Sequence, residues 1–218
     1  MPAAAPAVPR ARVVVLLSGA GTLCAALLAA ADDPRYPAEV VAVGSDRAAP
    51  GLDAARSRGL TTFVTPLREH PDRAAWDRAL AVELAVHRPD WVVCAGFMKL
   101  LGPAVLAAFA GRVVNTHPAL LPAFPGAHAV RDALAAGVPR TGATVHVVDA
   151  GVDTGPLLAQ RPVPIRPGDD EPQLHERIKI VERDLLVATV ASLATTGPAA
   201  APAARPQTTR TGTEETSR

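Results

Sequence analysis

The stretch RVVVLLSGAGTLCAALLAAADD, residues 12–33, decides the fold, and it fits two incompatible structures. Arginines before an apolar run that ends in small alanines are typical of a secretory signal peptide. The same letters also fit a buried strand, a glycine turn and the first turns of a helix. Gly19 and Gly21 interrupt the apolar run near its middle, where a strand-to-helix turn would need them. We therefore expect the opening β–α unit of a cytoplasmic protein, with export as the alternative.

Beyond this stretch, β-branched runs alternate with helical patterns. Strands are predicted at residues 12–17, 39–44, 61–64, 91–96, 113–116, 142–149 and 156–165, and further helices at 73–87, 129–136 and 171–194. The first five strands are apolar throughout, as expected when helices cover both faces of a parallel sheet. The order predicts an α/β fold, a doubly wound, mostly parallel open sheet of about seven strands with helices on both faces.

Composition limits the organisation of the chain and its partners. A length of 218 residues suits one domain, predicted at 12–196 between a disordered extension (1–11) and a disordered tail (197–218). A net charge of +1 leaves no basic surplus for nucleic acid or an anionic membrane, so small molecules are the expected partners. Cys24 and Cys94 have no metal-binding spacing, and no metal is expected. Monomer and homodimer remain open.

The turn SGAGT, residues 18–22, indicates an anion site at the start of a helix. Its glycines allow a tight turn, and the free N–H groups and dipole of the following helix attract a phosphate. A dinucleotide-binding fold is the alternative, because Asp46 follows the second strand as a ribose-binding acid would. Cys24 stands where that fold needs a third glycine, so a single phosphate is favoured.

A second motif, NTHP at residues 115–118, places an amide and an imidazole at a strand end. Asn115 and His117 are two residues apart, so their side chains project from the same face and can donate to one oxyanion. Asp153 follows the next long strand and is also expected at the carboxyl edge. A carboxylate there would stabilise the charged form of His117 and keep it a proton donor near neutral pH.

Five segments together resemble the folate-dependent phosphoribosylglycinamide formyltransferase family of purine biosynthesis. They are LLSGAGT, AGFMKLLGP, NTHPALLPAFPGAH, GATVHVVDAGVDTGP and LHERIKIVERDLL. The resemblance implies the formyltransferase fold and transfer of the formyl group of 10-formyltetrahydrofolate, as co-substrate, to the amine of glycinamide ribonucleotide. It covers nearly the whole folded body, and the segment FPGAH favours the glycinamide ribonucleotide branch. The alternatives are a sugar-nucleotide or other folate-dependent formyltransferase and a formyltetrahydrofolate hydrolase-like enzyme.

The same resemblance assigns expected roles to individual residues. The catalytic residues would be Asn115, His117 and Asp153. The ribonucleotide would be bound by Gly21, Thr22 and Leu23 at the phosphate and by Glu182 near the ribose. The folate would be bound by Arg73, Met98, Lys99, Leu100, Leu101, Asn115, Asp149, Ala150, Gly151, Val152 and Asp153.

Two positions depart from the family pattern. Leu23 stands where many members have Asn, which would leave backbone N–H groups to hold the phosphate. Lys99 replaces a frequent Arg, a mild change if the folate contact there is made by the backbone. His128 and His146 lie in the matched segments and are interpreted as supporting groups, His146 as a structural histidine in mid-strand.

Overall fold

The structure is a computed structural model, and it describes residues 9–197. They form a seven-stranded sheet in the order β3-β2-β1-β4-β5-β6-β7. The strands are β1 (Ala11–Leu17), β2 (Ala38–Ser45), β3 (Thr61–Val64), β4 (Trp91–Cys94), β5 (Val113–His117), β6 (Arg140–Val147) and β7 (Leu157–Pro164). The helices are α1 (Thr22–Ala31), α2 (Asp53–Arg56), α3 (Arg73–Val86), α4 (Pro103–Ala108), α5 (Ala129–Ala135) and α6 (Glu171–Thr196). This architecture confirms the predicted fold class.

The stretch that decides the fold is the central strand, a glycine turn and the first helix. β1 pairs in parallel with β2 on one side and β4 on the other. All five side chains from Val13 to Leu17 are at most 1% exposed. They alternate between the two faces, since Val13, Val15 and Leu17 pack under α1 and α6 while Val14 and Leu16 pack under α3 and α4. Both layers of the core therefore meet on this one strand.

The folded body begins slightly earlier than predicted. Ala11 is already in β1, and the guanidinium of Arg10 donates to the carbonyls of Ala31 and Ala38. The predicted boundary at residue 12 therefore moves toward the N-terminus. The rest of the extension (1–8) and most of the tail (198–218) lie outside the described residues, so their predicted disorder stays a prediction.

The sheet reverses direction after β5. Strands β3, β2, β1, β4 and β5 are parallel, whereas β6 and β7 are antiparallel to their neighbours. Val147, at the end of β6, pairs with Val114 near the start of β5. The end of β6 therefore does not lie at the carboxyl edge, but Asp153 does, as expected, because the loop after β6 carries it back to His117, the last residue of β5.

The segment 148–156, which we term the return loop, joins β6 to β7. It leaves and rejoins the sheet at one point, where the Val147 N–H donates to the Pro156 carbonyl at 2.9 Å. Gly155 lies so close to this point that a Cβ atom there would be 1.8 Å from the Val147 oxygen. The loop packs over the sheet face that carries Asn115 and His146, which brings Asp153 to His117.

Two short helices were not predicted, and two strands, β4 and β7, are shorter than predicted. Helices α2 and α4 have four and six residues, too few to show a helical period in the sequence. Strand β4 ends at Cys94 because the chain turns at Gly96, whose φ is 76°. Between residues 9 and 197, no helix has the length and apolarity needed to cross a membrane.

Candidate active site

Two polar side chains project from β5 onto the face covered by the return loop. Asn115 is partly buried, and His117, the last residue of the strand, is 4% exposed. The Nε2 atom of His117 lies 2.8 Å from the carbonyl oxygen of Phe124, in the proline-rich loop that follows β5. Since a carbonyl oxygen only accepts, Nε2 carries a proton. The ring is thus fixed in one orientation.

Asp153 joins these residues from the return loop. Its Oδ2 atom accepts from the Gly126 N–H at 2.8 Å and lies 3.3 Å from Nδ1 of His117. Its Oδ1 atom lies 3.4 Å from Nε2 of His146. Burial alone would raise the pKa of Asp153, but the hydrogen bonds from His146 and Gly126 and the nearby imidazoles lower it to about 2. The carboxylate is therefore ionised at neutral pH.

His146 lies within this cluster rather than only supporting it from the strand. Its Nδ1 atom is 3.0 Å from the Val147 carbonyl oxygen, and its Nε2 atom is 3.3 Å from Nδ2 of Asn115. It faces Asn115 across the β5–β6 ladder. From the sequence, His146 was interpreted as a structural histidine because the pairing register of β5 and β6 cannot be read from the sequence alone.

A cleft of about 330 Å³ lies beside the cluster, at the carboxyl ends of the parallel strands. All four residues predicted to bind the ribonucleotide line it, namely Gly21, Thr22, Leu23 and Glu182. The first turn of α1 forms one wall and α6 forms another. The cleft thus combines a helix N-terminus with a wall of polar side chains, which suits a phosphorylated ligand.

Gly21 makes the start of α1 possible. It is the N-cap residue and has a φ of 73°, a conformation that side chains other than glycine disfavour. A Cβ atom on Gly21 would lie 2.7 Å from the Cα atom of Gly51. Both the backbone angle and the close approach therefore require glycine here.

Glu182 forms the inner wall of the cleft from α6. It is 5% exposed, and burial raises its pKa to about 7, with Thr116 as the polar neighbour that partly opposes this shift. A carboxyl group whose pKa lies close to neutral can either donate or accept a hydrogen bond there. Such a group can adapt to a ribose hydroxyl.

Three cationic or titratable side chains of the cleft were not predicted: Arg47, His175 and Lys179. Lys179 precedes Glu182 by three residues on α6, so the helical spacing could have indicated it. Burial and the neighbouring Lys179 lower the pKa of His175. Arg47 and Lys179 add positive charge to the cleft, in which the Leu23 side chain offers no polar atom.

A second, narrower pocket lies on the other side of Asn115. Its volume is about 60 Å³, small beside the ~300–1,000 Å³ of typical ligand sites. Of the residues predicted to bind folate, those that line it are Lys99, Leu100, Leu101, Asn115, Asp149, Gly151 and Asp153. Met98 lines the larger cleft instead, while Ala150 and Val152 line neither pocket.

Arg73 reaches this region indirectly. Its guanidinium donates to the carbonyl of Leu100 and lies 5.6 Å from the ring centroid of Trp76. Asp77, buried on α3, accepts from the N–H groups of Gly102 and Ala104, at 2.7 Å each. Helix α3 therefore holds the segment that follows β4 in place.

Within the described part of the chain, residues 9–197, no group of three or more His, Cys, Asp or Glu side chains is arranged to hold a metal ion. Cys24 and Cys94 are both buried free thiols. Burial raises the pKa of each thiol to about 12. Neither cysteine is poised to react as a thiolate.

Comparison with known proteins identifies the family to which the chain belongs. The formyl transferase family model matches residues 11–190. Phosphoribosylglycinamide formyltransferase of Mycobacterium tuberculosis (strain H37Rv) is 58% identical over 197 residues, covering 90% of this chain and 89% of the relative. The enzyme of the same name from Escherichia coli (strain K12) is 40% identical over 171 residues, covering 78% and 81%.

Solved structures agree with these relatives. Glycinamide ribonucleotide transformylase 1 from Symbiobacterium toebii superposes with a TM-score of 0.84 at 41% identity. That match covers 86% of this chain and 89% of the other. The chain therefore belongs to the formyl transferase family and, within it, to the phosphoribosylglycinamide formyltransferases.

Proposed function

We propose that Asn115, His117 and Asp153 carry out formyl transfer from 10-formyltetrahydrofolate to the amine of phosphoribosylglycinamide. The observation that supports this assignment is their convergence, with Nδ1 of His117 3.3 Å from Oδ2 of Asp153 and Asn115 two residues away on the same strand face. The cleft and the narrow pocket lie on either side of them. The two substrates would thus meet over β5.

In this proposal His117 supplies a proton. Its Nε2–H is held by the Phe124 carbonyl, and its Nδ1 faces the carboxylate of Asp153, which can accept a proton carried on Nδ1. The Nδ1 distance of 3.3 Å is long for a charge-assisted hydrogen bond. A proton held this loosely can be transferred with little reorganisation.

Asn115 stabilises the oxyanion. When the amine attacks the formyl carbon, a C–N bond forms and the formyl oxygen takes the negative charge of a tetrahedral intermediate. The Asn115 amide has two N–H groups that can donate to this oxygen, and its Nδ2 atom lies 3.3 Å from Nε2 of His146. A donor aimed at a developing charge in this way contributes about 3 kcal/mol.

The intermediate collapses when the bond from carbon to the folate N10 breaks. N10 takes up a proton, which His117 donates, and the attacking nitrogen loses one. Asp153 faces the imidazole and holds a water that carries the released proton back to it. No covalent enzyme intermediate is required, because clamping both substrates supplies about 7 kcal/mol or more.

The ribonucleotide is assigned to the larger cleft, with its phosphate on the N–H groups of Gly21, Thr22 and Leu23 and its ribose beside Glu182. Lys179 adds the positive charge that Leu23 cannot. The folate is assigned to the narrow pocket and its rim, namely Arg73, Lys99, Leu100, Leu101, Asp149, Ala150, Gly151, Val152 and Asp153. Met98 is assigned to the boundary between the two substrates.

The narrow pocket has to widen to admit a folate ring. At about 60 Å³ it holds only a few water molecules. Val152, at the outer side of the return loop, is 46% exposed, so this loop has little apolar packing to lose when it moves. We assign the widening to the return loop, because β5 and the chain after β4 are held by the sheet and by Asp77.

The proposal also covers the domain organisation, cellular location and partners of the enzyme. Residues 12–196 are taken as one catalytic domain that acts on small molecules in the cytoplasm, as a monomer or homodimer, without nucleic acid, membrane or metal. A net charge of +1 supports the first two exclusions, since no basic surplus is available to bind a polyanion.

A direct assay tests the proposal with the purified chain, 10-formyltetrahydrofolate and glycinamide ribonucleotide. We expect formyl transfer, with kcat lowered roughly 10²- to 10⁴-fold in His117→Ala and Asp153→Asn and roughly 10²- to 10³-fold in Asn115→Ala. Asp53→Asn, in an exposed pair with Arg56, is the matched control and should keep its rate.

Each outcome has a defined consequence. A variant that is folded by circular dichroism and keeps a nearly wild-type kcat removes its residue from the catalytic set. Transfer to a sugar nucleotide but not to glycinamide ribonucleotide would replace the proposed acceptor substrate.

A further inference from the structure

We propose that Asp46 is a positioning residue that links the two substrate sites, because its buried carboxylate holds one cation of each site. The inference rests on the proposed function, since it takes the larger cleft as the ribonucleotide site and the narrow pocket as the folate site.

Asp46 lies at the junction of three strand ends. It follows β2, and its side chain is only 2% exposed. Because β1 lies between β2 and β4 in the sheet, Asp46 reaches past the end of β1 to Lys99, in the segment after β4. Ser18, the first residue after β1, lies between them, and its Oγ accepts the Met98 N–H at 2.8 Å.

The two cations approach the same carboxylate oxygen. Nη2 and Nε of Arg47 are 2.7 and 3.1 Å from Oδ2 of Asp46, and Nζ of Lys99 is 3.4 Å from it. Burial would raise the pKa of Asp46, but Arg47, Ser18 and Lys99 together hold it below its ordinary value. The ionised carboxylate therefore fixes the direction of both side chains.

Stability alone does not explain this arrangement. The Arg47 side chain is 54% exposed, and ion pairs open to solvent contribute little to the free energy of unfolding. In addition, Oδ1 of Asp46 is buried without a hydrogen-bond partner, which costs free energy. A buried carboxylate with one unpaired oxygen at a site boundary is better explained by the cations that it positions.

The held cations belong to different sites. Arg47 lines the larger cleft, beside the glycine turn before α1, and Lys99 lines the narrow pocket. Both also border an open groove that contains Asp46 itself. A single change at Asp46 should therefore affect binding of both substrates, whereas a change at either cation should affect one.

Steady-state kinetics of three variants test this. Asp46→Asn keeps the shape of the side chain and removes its charge, and we expect KM to rise roughly threefold to tenfold for both substrates, with kcat changed less than about twofold. Arg47→Met should raise KM only for glycinamide ribonucleotide, and Lys99→Met only for 10-formyltetrahydrofolate. Each cation variant should have a smaller effect in the Asp46→Asn background, because coupled groups are not additive.

Asp53→Asn is again the matched control, and all variants are checked for folding by thermal unfolding. The inference is overturned if Asp46→Asn loses stability but keeps both KM values, or if only one of them changes. A fall in KM for the ribonucleotide would also overturn it, because the carboxylate would then act by repelling the phosphate. A wild-type chain that does not formylate glycinamide ribonucleotide refutes the proposed function instead, so the two failures are distinguishable.

Discussion

Asp153 is the residue in which local conformation and chemistry are most closely tied. Its φ of 55° is unfavourable for a side chain other than glycine, and its two carboxylate oxygens are shared among Gly126, His117 and His146. These contacts offset the backbone cost and keep the carboxylate ionised. The stability of the protein in acid should therefore include a contribution from this residue.

We expect the contribution of Asp153 to the free energy of unfolding to disappear in acid. Its pKa is about 2 in the fold and 3.8 as a reference value, so the folded state binds fewer protons between those limits. The stabilisation, about 2 kcal/mol, is complete above pH 4 and is lost as the pH falls from about 4 to about 2. Urea unfolding of wild type and Asp153→Asn across this range measures it, and a difference that stays constant with pH would contradict it.

For Glu182 the free energy of unfolding should change with pH in the opposite direction. Its pKa is raised from 4.5 to about 7, so the unfolded chain releases the proton at a lower pH than the folded chain does. Stability should fall by about 3 kcal/mol as the pH rises from 4.5 to 7 and then stay level. Glu182→Gln should remove this slope in urea unfolding at pH 5, 6, 7 and 8. If the free energy of unfolding varies with pH in the same way for the two proteins, burial does not raise the pKa of Glu182.

The residue types of the site could be predicted from the sequence, but not all of their partners. The two-residue spacing of Asn115 and His117 predicts a shared face, which the structure has. His146 was interpreted as structural because its partner lies on another strand, 31 residues away. Arg47 was not predicted because the sequence around it gives no sign that this exposed arginine lines a cleft.

At the scale of elements, the glycine turn before α1 determines whether the phosphate end of the cleft forms. Gly21→Ala places a Cβ at a φ of 73° and against Gly51. We expect a loss of roughly 1–3 kcal/mol in the free energy of unfolding and a higher KM for the ribonucleotide. Chemical unfolding and steady-state kinetics measure the two effects.

Gly137→Ala is the control for this prediction. Gly137 has a φ of 63°, but a Cβ there would meet no atom within 4 Å. It therefore isolates the cost of the backbone angle from that of the close approach. Equal losses in the two variants would show that the contact with Gly51 is not important.

The long helices could be predicted from the sequence, whereas the two shortest helices, α2 and α4, could not. Helices α3 and α6 have an apolar stripe and an aspartate N-cap, Asp72 and Asp170, whose side chains accept backbone N–H groups. Helices α2 and α4 have no such pattern because packing, rather than periodicity, forms them. The reversal at β6 was missed for a related reason, since strand direction depends on pairing and not on composition.

At the scale of the whole molecule, the sheet depends on its central strand. β1 supplies both core layers, so removing it by signal-peptide cleavage would leave β2 and β4 without their shared partner. We expect the native protein to keep Val13 to Cys24, and peptide mapping by mass spectrometry measures this directly. A mature protein that begins after Leu17 would favour the export alternative.

The point where the return loop leaves and rejoins the sheet separates the strands from the residues that shape the narrow pocket. Because Val147 and Pro156 close the loop at a single point, residues 149–152 can be replaced without breaking the pairing of β6 with β7, as long as Asp153 keeps its contacts with His117 and Gly126. This segment can be replaced as a unit. Exchanging it offers a route to enzymes that accept differently substituted pterins while the reacting groups on β5 stay where they are.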